Sequence, residues 1–271
     1  MVVPDLTNPV LPPMIRRIEE TMWEAGLACL LADTDNLADR EEALIDQLRA
    51  RRCEGLIIAS ASRRSAAVMS LSDDDIPTVL ITREPDDSPL PFVAGDDAAG
   101  VEAAVEHIVD LGHEAIAYLT GPTELSTTLR REEAFRTAVR RRLPGREPVI
   151  IHGSGFTVEA GRKTADELAH RPDGVTAILA GNDMMALGVY EALTVEGKRC
   201  PEDVSVVGHN DMPFMRQVRP PLTTVATPSS RVGIEAAGML LALRDGQNAE
   251  PIRRLLPTTL TVRESTGPPS P

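Results

Sequence analysis

The feature that most limits what this chain can fold into is an alternation. Short apolar runs occur at Val2-Val3, Leu27 to Ala32, Gly55 to Ala59, Thr78 to Thr82, Phe92 to Ala94, Ala115 to Thr120, Val149 to Ile151, Thr176 to Ala180 and Val204 to Val207. Between them, apolar residues recur at helical spacing in 10 to 25, 37 to 51, 98 to 111, 127 to 142, 157 to 170, 184 to 197 and 229 to 244. Runs of this length suit strands buried on both faces, and their alternation with helices predicts βα units and parallel sheets. About nine strands form two sheets of moderate size more naturally than one. The chain of 271 residues also exceeds the size at which a single hydrophobic core stops growing.

The sequence therefore predicts an α/β protein of two lobes. The first group of units ends near "HIVDLGHEAIAYL", with no flexible linker at the join. A Pro-rich stretch, "VRPPLTTVATP", leads into the last long helix, and "RRLLPTTLTVREST" reads as a final strand. Placing that helix in the first lobe and that strand in the second gives an N-terminal lobe of 1–111 plus 227–250 and a C-terminal lobe of 112–226 plus 251–266. The chain then crosses between lobes three times, as in a hinged pair with a cleft. The tail at 267–271, "GPPSP", is expected to be disordered.

Composition removes several classes of function. A net charge of −13 makes the chain unsuited to gripping phosphate backbones, and its short basic groups fall near predicted helix ends, where cations complement the helix dipole. Cys29, Cys53 and Cys200 are odd in number and lack a CxxC pair, which suits a reducing cytoplasm and neither a disulfide framework nor a zinc site. No apolar stretch approaches membrane-spanning length, and "MVVPDLTNP" has no signal-peptide pattern. The expectation is a cytoplasmic protein with no membrane partner.

Catalytic and cofactor motifs are missing as well. "HGSGFTVEAG" lacks the third glycine of a dinucleotide fingerprint, and there is no GxxxxGK[ST] or GxSxG. The five histidines show neither HxxxH nor HExxH spacing. His209-Asn210-Asp211 follows a strand and could hold a general base, but no nucleophile or electrophile motif accompanies it. The reading is no enzyme, no cofactor and no metal.

What recurs instead is polarity just past strand ends: Asp5, Thr7 and Asn8, then Ser126 to Arg131, then Asn182, then Asn210-Asp211. Open α/β sheets place ligands there, and such groups can hydrogen-bond a hydroxyl-rich molecule, with Arg131 adding a fixed fork of donors. In "AILAGNDMMALGVYEAL" an apolar run meets Asn182-Asp183 and then a helical segment. Asp183 sits where an N-cap is expected, while Asn182 reads equally as a ligand contact or as a turn residue.

The segments "VVPDLTNPV", "EEALIDQLRARRCEGLIIAS", "AVEHIVDLGHEAIAYLTGP", "RREEAFRTAV", "AGNDMMALGVYEAL", "PEDVSVVGHNDMP" and "PPLTTVATP", in this order, resemble the effector-binding core of the lactose/galactose repressor (LacI/GalR) family. The resemblance covers nearly the whole chain. It implies the fold of type I periplasmic binding proteins: two similar doubly wound parallel-sheet lobes, three crossovers and a small ligand between them. It assigns ligand contacts to Asn182 and Arg131, an aromatic packing on the ligand to Phe156, and the loop after the first strand to Asn8 and Val10. Two departures stand out: Val10-Leu11 replaces an aromatic pair, and Gly208-His209-Asn210-Asp211 replaces Gly-aromatic-Asp-Asp. Asn210 is neutral and both donates and accepts, so the ligand need not be the ordinary sugar.

What the resemblance implies is the ligand-sensing and dimerisation core of a transcriptional regulator. Its small effector would close the lobes, and operator DNA would be read by a helix-turn-helix module that the family carries and that this chain does not include. A homodimer is expected. The alternative is a solute-binding protein of a transport system, which shares the fold.

Overall fold

The computed structural model describes residues 1–170, 174–247 and 252–270. Its strands and helices fall into two units: Met1–Gly95 with Glu124–Thr127 and Pro228–Leu256, and Asp96–Thr123 with Thr128–Thr227 and Pro257–Pro271.

In the first unit the chain runs β1 (Val2–Val3), α1 (Leu11–Glu24), β2 (Ala32–Asp33), α2 (Ala38–Ala50), β3 (Leu56–Ile58), the short α3 (Ala66–Met69), β4 (Thr78–Ile81) and β5 (Phe92–Gly95). The second unit follows with α4 (Asp97–Asp110), β6 (Ile116–Thr120), α5 (Ser126–Arg142), β7 (Val149–His152), α6 (Val158–Ala169), β8 (Ala177–Ala180), α7 (Asp183–Val195), β9 (Ser205–Asn210) and β10 (Thr223–Ala226). The last elements are α8 (Ser229–Arg244) and β11 (Arg253–Leu256) in the first unit and β12 (Thr259–Thr261) in the second.

The first sheet is parallel throughout in the order β11-β5-β4-β3-β1-β2. Successive side chains point to opposite faces of a strand, and here both faces are covered. Val3, Ile57, Val79, Ile81 and Val93 pack with α1 and α8, whereas Val2, Leu56, Ile58, Leu80 and Phe92 pack with α2 and α3. That is why these strands are continuous apolar runs in the sequence. Helix α1 tolerates Pro12 and Pro13 because its first turn has no intrahelical use for their missing N–H groups. It buries Leu11, Met14, Ile18 and Met22 and leaves Trp23 73% exposed.

The second sheet runs β12-β10-β9-β8-β6-β7 and is parallel except where β12 pairs antiparallel with β10. One face presents Ile116, Tyr118, Leu179, Val207 and Val225 to α4 and α5, with Tyr118 stacked on Phe135 at a centroid distance of 5.2 Å. Helices α6 and α7 lie against β6, β8 and β9. They cross closely because their contact is made by glycines: a Cβ on Gly188 would come within 2.0 Å of the Val158 carbonyl oxygen, and one on Gly161 within 2.2 Å of that of Met185.

Four expectations need correction. The chain passes to the second unit after Gly95, so α4 belongs there and not in a first lobe reaching residue 111; Gly100 sits against Val225 and Thr258 of that unit. The expected return between residues 250 and 251 lies outside the described residues, but residues 252–256 belong to the first unit and not to the second, which resumes at Pro257. The stretch read as one final strand is two strands: Pro257 has no N–H to continue a ladder, and β11 and β12 join different sheets. The Pro-rich stretch before α8 contains an unforeseen strand, β10, built on Thr223, Thr224 and Val225. The tail is held rather than disordered, for the Gly267 carbonyl accepts from buried His113 Nε2 at 2.8 Å and the Gly267 N–H donates to Ser205 Oγ at 3.0 Å. Ser270 Oγ also donates to the Glu202 carbonyl, and residue 271 lies outside the described residues.

Candidate functional site

Three of the residues singled out from sequence converge on one backbone position. Gly181 follows β8, and its carbonyl accepts a hydrogen bond from Arg131 Nη1 at 2.7 Å. Against the same glycine lies the half-buried ring of Phe156: a Cβ there would come within 2.9 Å of Cε1, and one on Gly121 within 2.7 Å of the ring. Next in sequence is Asn182, 2% exposed, whose Nδ2 donates to the Phe156 carbonyl at 3.1 Å. An arginine from α5, an aromatic from the β7–α6 loop and an amide at the start of α7 thus meet at the carboxyl end of β8.

Asn182, and not Asp183, is the N-cap of α7. Its backbone is extended, and its Oδ1 accepts from the Met185 N–H at 2.8 Å. Asp183 is the first helical residue and is wholly buried, with Oδ2 accepting from the Met212 N–H at 2.6 Å and Oδ1 from Thr224 Oγ1 at 2.5 Å. It therefore ties α7 to β10 and to the loop after β9. Burial pushes its carboxyl up to about 7, against the pull of those two hydrogen bonds.

Arg131 is only 7% exposed, and what holds it is a residue the sequence did not single out. Its Nε donates to Asp97 Oδ1 at 2.8 Å, while Arg130 Nη2 donates to Asp97 Oδ2 at 3.1 Å. Asp97 is free to do this because its neighbour Asp96 caps α4, accepting from the Ala99 N–H at 3.1 Å. His209 Nε2 lies 3.4 Å from Asp97 Oδ1, too poorly aligned for a hydrogen bond but close enough to feel the charge. Burial alone would raise the Asp97 carboxyl, yet the positive charge of Arg131, with that of Arg130, holds it well below the ordinary range. Burial, reinforced by the charge of Arg131, lowers His209 to about 4, so it is neutral at physiological pH. An imidazole whose protonated form sits near 4 is too weak a base to take up a proton readily at neutral pH.

Asn210 ends β9, the neighbour of β8, in a left-handed backbone conformation with φ of 111°. Its Oδ1 accepts from Thr227 Oγ1 at 3.3 Å. The following Asp211 accepts from Arg263 Nη2 at 2.7 Å. Asn8 and Val10 belong to the first unit. Asn8 Oδ1 accepts from the Val10 N–H at 3.2 Å in the turn that starts α1, and Val10 occupies the N-cap position with its side chain packed on the core.

No group of three metal-ligating side chains occurs among the described residues, and no described helix is long and apolar enough to cross a membrane. Cys29, Cys53 and Cys200 are free thiols.

Comparison with known proteins agrees with this architecture. A family model for a periplasmic binding protein-like domain matches residues 105–266. The HTH-type transcriptional regulator DegA of Bacillus subtilis is 30% identical over 99% of this chain and 80% of its own length. Among solved structures, a transcriptional regulator CelR–cellobiose complex superposes with a TM-score of 0.89 at 28% identity, covering 97% of this chain and 83% of the other. A LacI family regulator from Enterococcus faecium with bound ribose gives 0.84 at 28% identity, covering 98% and 97%. With the two six-stranded sheets and the strand-end cluster around Gly181, these likenesses place the chain: it belongs to the LacI/GalR family of transcriptional regulators, on a periplasmic-binding-protein-like core.

Proposed function

We propose that the chain is the ligand-sensing and dimerisation core of a LacI-type regulator, which binds a small polar effector, a sugar, a sugar derivative or a nucleoside. The observation that carries this reading is the convergence of Arg131, Phe156 and Asn182 on Gly181 at the carboxyl end of β8. A guanidinium fork, an aromatic face and an amide suit hydroxyl-rich ligands, and relatives of this fold have been solved with cellobiose and with ribose. Asn210 adds a neutral amide at the adjacent strand end. Asn8 and Val10 enter the contact set on the family resemblance alone. Control of operator DNA would pass through a helix-turn-helix module outside these 271 residues, since a chain of net charge −13 has no electrostatic footprint for the duplex. The proposed location is the cytoplasm.

Homodimerisation belongs to the same proposal, because two-fold operators are read by two-fold proteins. Trp23 supports it: the indole lies on the outer side of α1, 73% exposed. Sedimentation at micromolar concentration should give a dimer of 29.2 kDa chains, weakened by Trp23→Ser with little change in unfolding free energy. A single species at the mass of one chain would contradict it and favour the solute-binding alternative. The effector reading is tested by a thermal-shift screen of sugars, sugar phosphates, polyols and nucleosides, since a ligand that binds only the folded state raises its melting temperature. No shift from any class would count against it.

A further inference from the structure

We infer that Asp97 is the positioning residue that sets the pose in which Arg131 meets the effector, an inference that rests on the reading of Arg131 as an effector contact. Arg131 is buried and fixed at two points, through Nε to Asp97 Oδ1 at 2.8 Å and through Nη1 to the Gly181 carbonyl at 2.7 Å. Nη2 donates to no partner among the described residues, and it is the nitrogen these two anchors leave for a ligand oxygen. Because Nε is engaged, the side-on edge formed by Nε and Nη2 is closed to a bidentate carboxylate or phosphate, and the donors left for ligand oxygens are the two N–H groups of Nη2 and the second N–H of Nη1.

The surroundings agree with a fixed polar node. Asp97 itself is 5% exposed and bridges Arg130 and Arg131, whose attachment to the same turn of α5 makes one carboxylate the anchor of both. Tyr118 Oη, Thr120 Oγ1, Thr128 Oγ1 and His209 Nε2 are buried without a well-formed hydrogen bond, all in the same unit and all neutral. Buried polar atoms of this kind call for a partner oxygen or nitrogen from water or ligand. An amide in place of Asp97 has only one acceptor oxygen and turns an NH₂ toward a guanidinium, so it cannot hold both arginines.

The test combines two measurements on the full chain. The first follows exchange with water of the Arg131 Nε–H by proton–nitrogen spectroscopy, in the unchanged protein and in Asp97→Asn and Asp97→Glu. Exchange should be at least tenfold slower than at exposed arginines, quicken at least tenfold in Asp97→Asn, and be partly restored in Asp97→Glu. An unchanged Nε–H in a folded Asp97→Asn overturns the inference. The second takes D-ribose, cellobiose and adenosine as probes. For any that binds, Asp97→Asn and Arg131→Lys should each weaken affinity tenfold or more, and the double variant should be little worse than either, as for residues acting as one unit. Fully additive losses overturn the inference. Should none of the probes bind, the effector classes they represent fail, while the exchange measurement still decides the role of Asp97.

Discussion

Asp97 and Asp183 are a matched pair with opposite fates. Each is the first residue of a helix in the second unit, each follows a neighbour that caps that helix, and each is buried. Asp97 meets two guanidinium groups and is held ionised well below the ordinary range. Asp183 meets a hydroxyl and a backbone N–H, and burial pushes it up to about 7. Depth does not separate them. The difference teaches that in this unit a formal positive charge, and not hydrogen bonding alone, offsets the desolvation of a carboxylate. Where that charge is supplied, the sheet end gains a fixed arginine; where it is not, it gains a structural tie.

The largest break in this comparison should come from Asp97→Ala. It leaves Arg131 buried without its counter-ion, and about 3–5 kcal/mol of unfolding free energy should be lost in urea titration at neutral pH. A loss below about 1 kcal/mol would mean that the pair contributes little beyond what water could replace.

The pH dependence comes next. Asp183 stands at about 7 in the folded protein against the 3.8 ordinary for an aspartate, so between these pH values the folded state keeps a proton that the unfolded chain has released. Its contribution to stability is fully present below the lower value and is lost as pH rises through about 7, at up to ~1.4 kcal/mol per pH unit. His209 acts in the opposite sense: lowered to about 4 from 6.5, it contributes above 6.5 and the contribution is lost as pH falls toward 4. Unfolding curves from pH 4 to 8 should therefore show Asp183→Asn gaining on the unchanged protein as pH rises and His209→Phe gaining on it as pH falls. Parallel curves would contradict both assignments.

Smaller effects should come from the residues around the two carboxylates. Thr224→Val removes the hydroxyl from Asp183 and should cost about 1 kcal/mol, more at pH 8 than at pH 5, because the ionised carboxylate depends on that donor most. Asp96→Ala and Asn182→Ala each remove a helix cap and should each cost about 1 kcal/mol by thermal or chemical unfolding. Near-equal losses would sharpen the comparison, locating the contrast between the two helices at their first residue and not at their caps.

How much of this was legible in the sequence follows from what each residue does locally. Inner strands of both sheets were readable because both of their faces are buried, which writes them as short apolar runs such as Leu56 to Ile58 and Ala177 to Ala180. Strand β10 was not, because its Thr223, Thr224 and Val225 sit among prolines that read as a connection, although a β-branched run was the available signal. Pro257 likewise marked the break between β11 and β12. Arg131, Phe156 and Asn182 stood out through family pattern and strand-end position. Asp97 did not, since two acids before a helix look like one cap and one dipole partner; a second buried role appears only when α5 brings Arg130 and Arg131 across to it. The same holds for His113, whose grip on Gly267 spans 154 positions and leaves no local trace.

The central claim, that the strand-end cluster around Gly181 binds the effector, is tested most directly by calorimetry. With a ligand found by thermal shift, binding is compared between the unchanged chain and Arg131→Lys, which keeps a cation beside Asp97 but removes the Nη donors. The account predicts a loss of roughly 1–3 kcal/mol, about ten- to a hundredfold in Kd, with the fold retained. Equal affinity in the two proteins would contradict it and move the site away from Arg131.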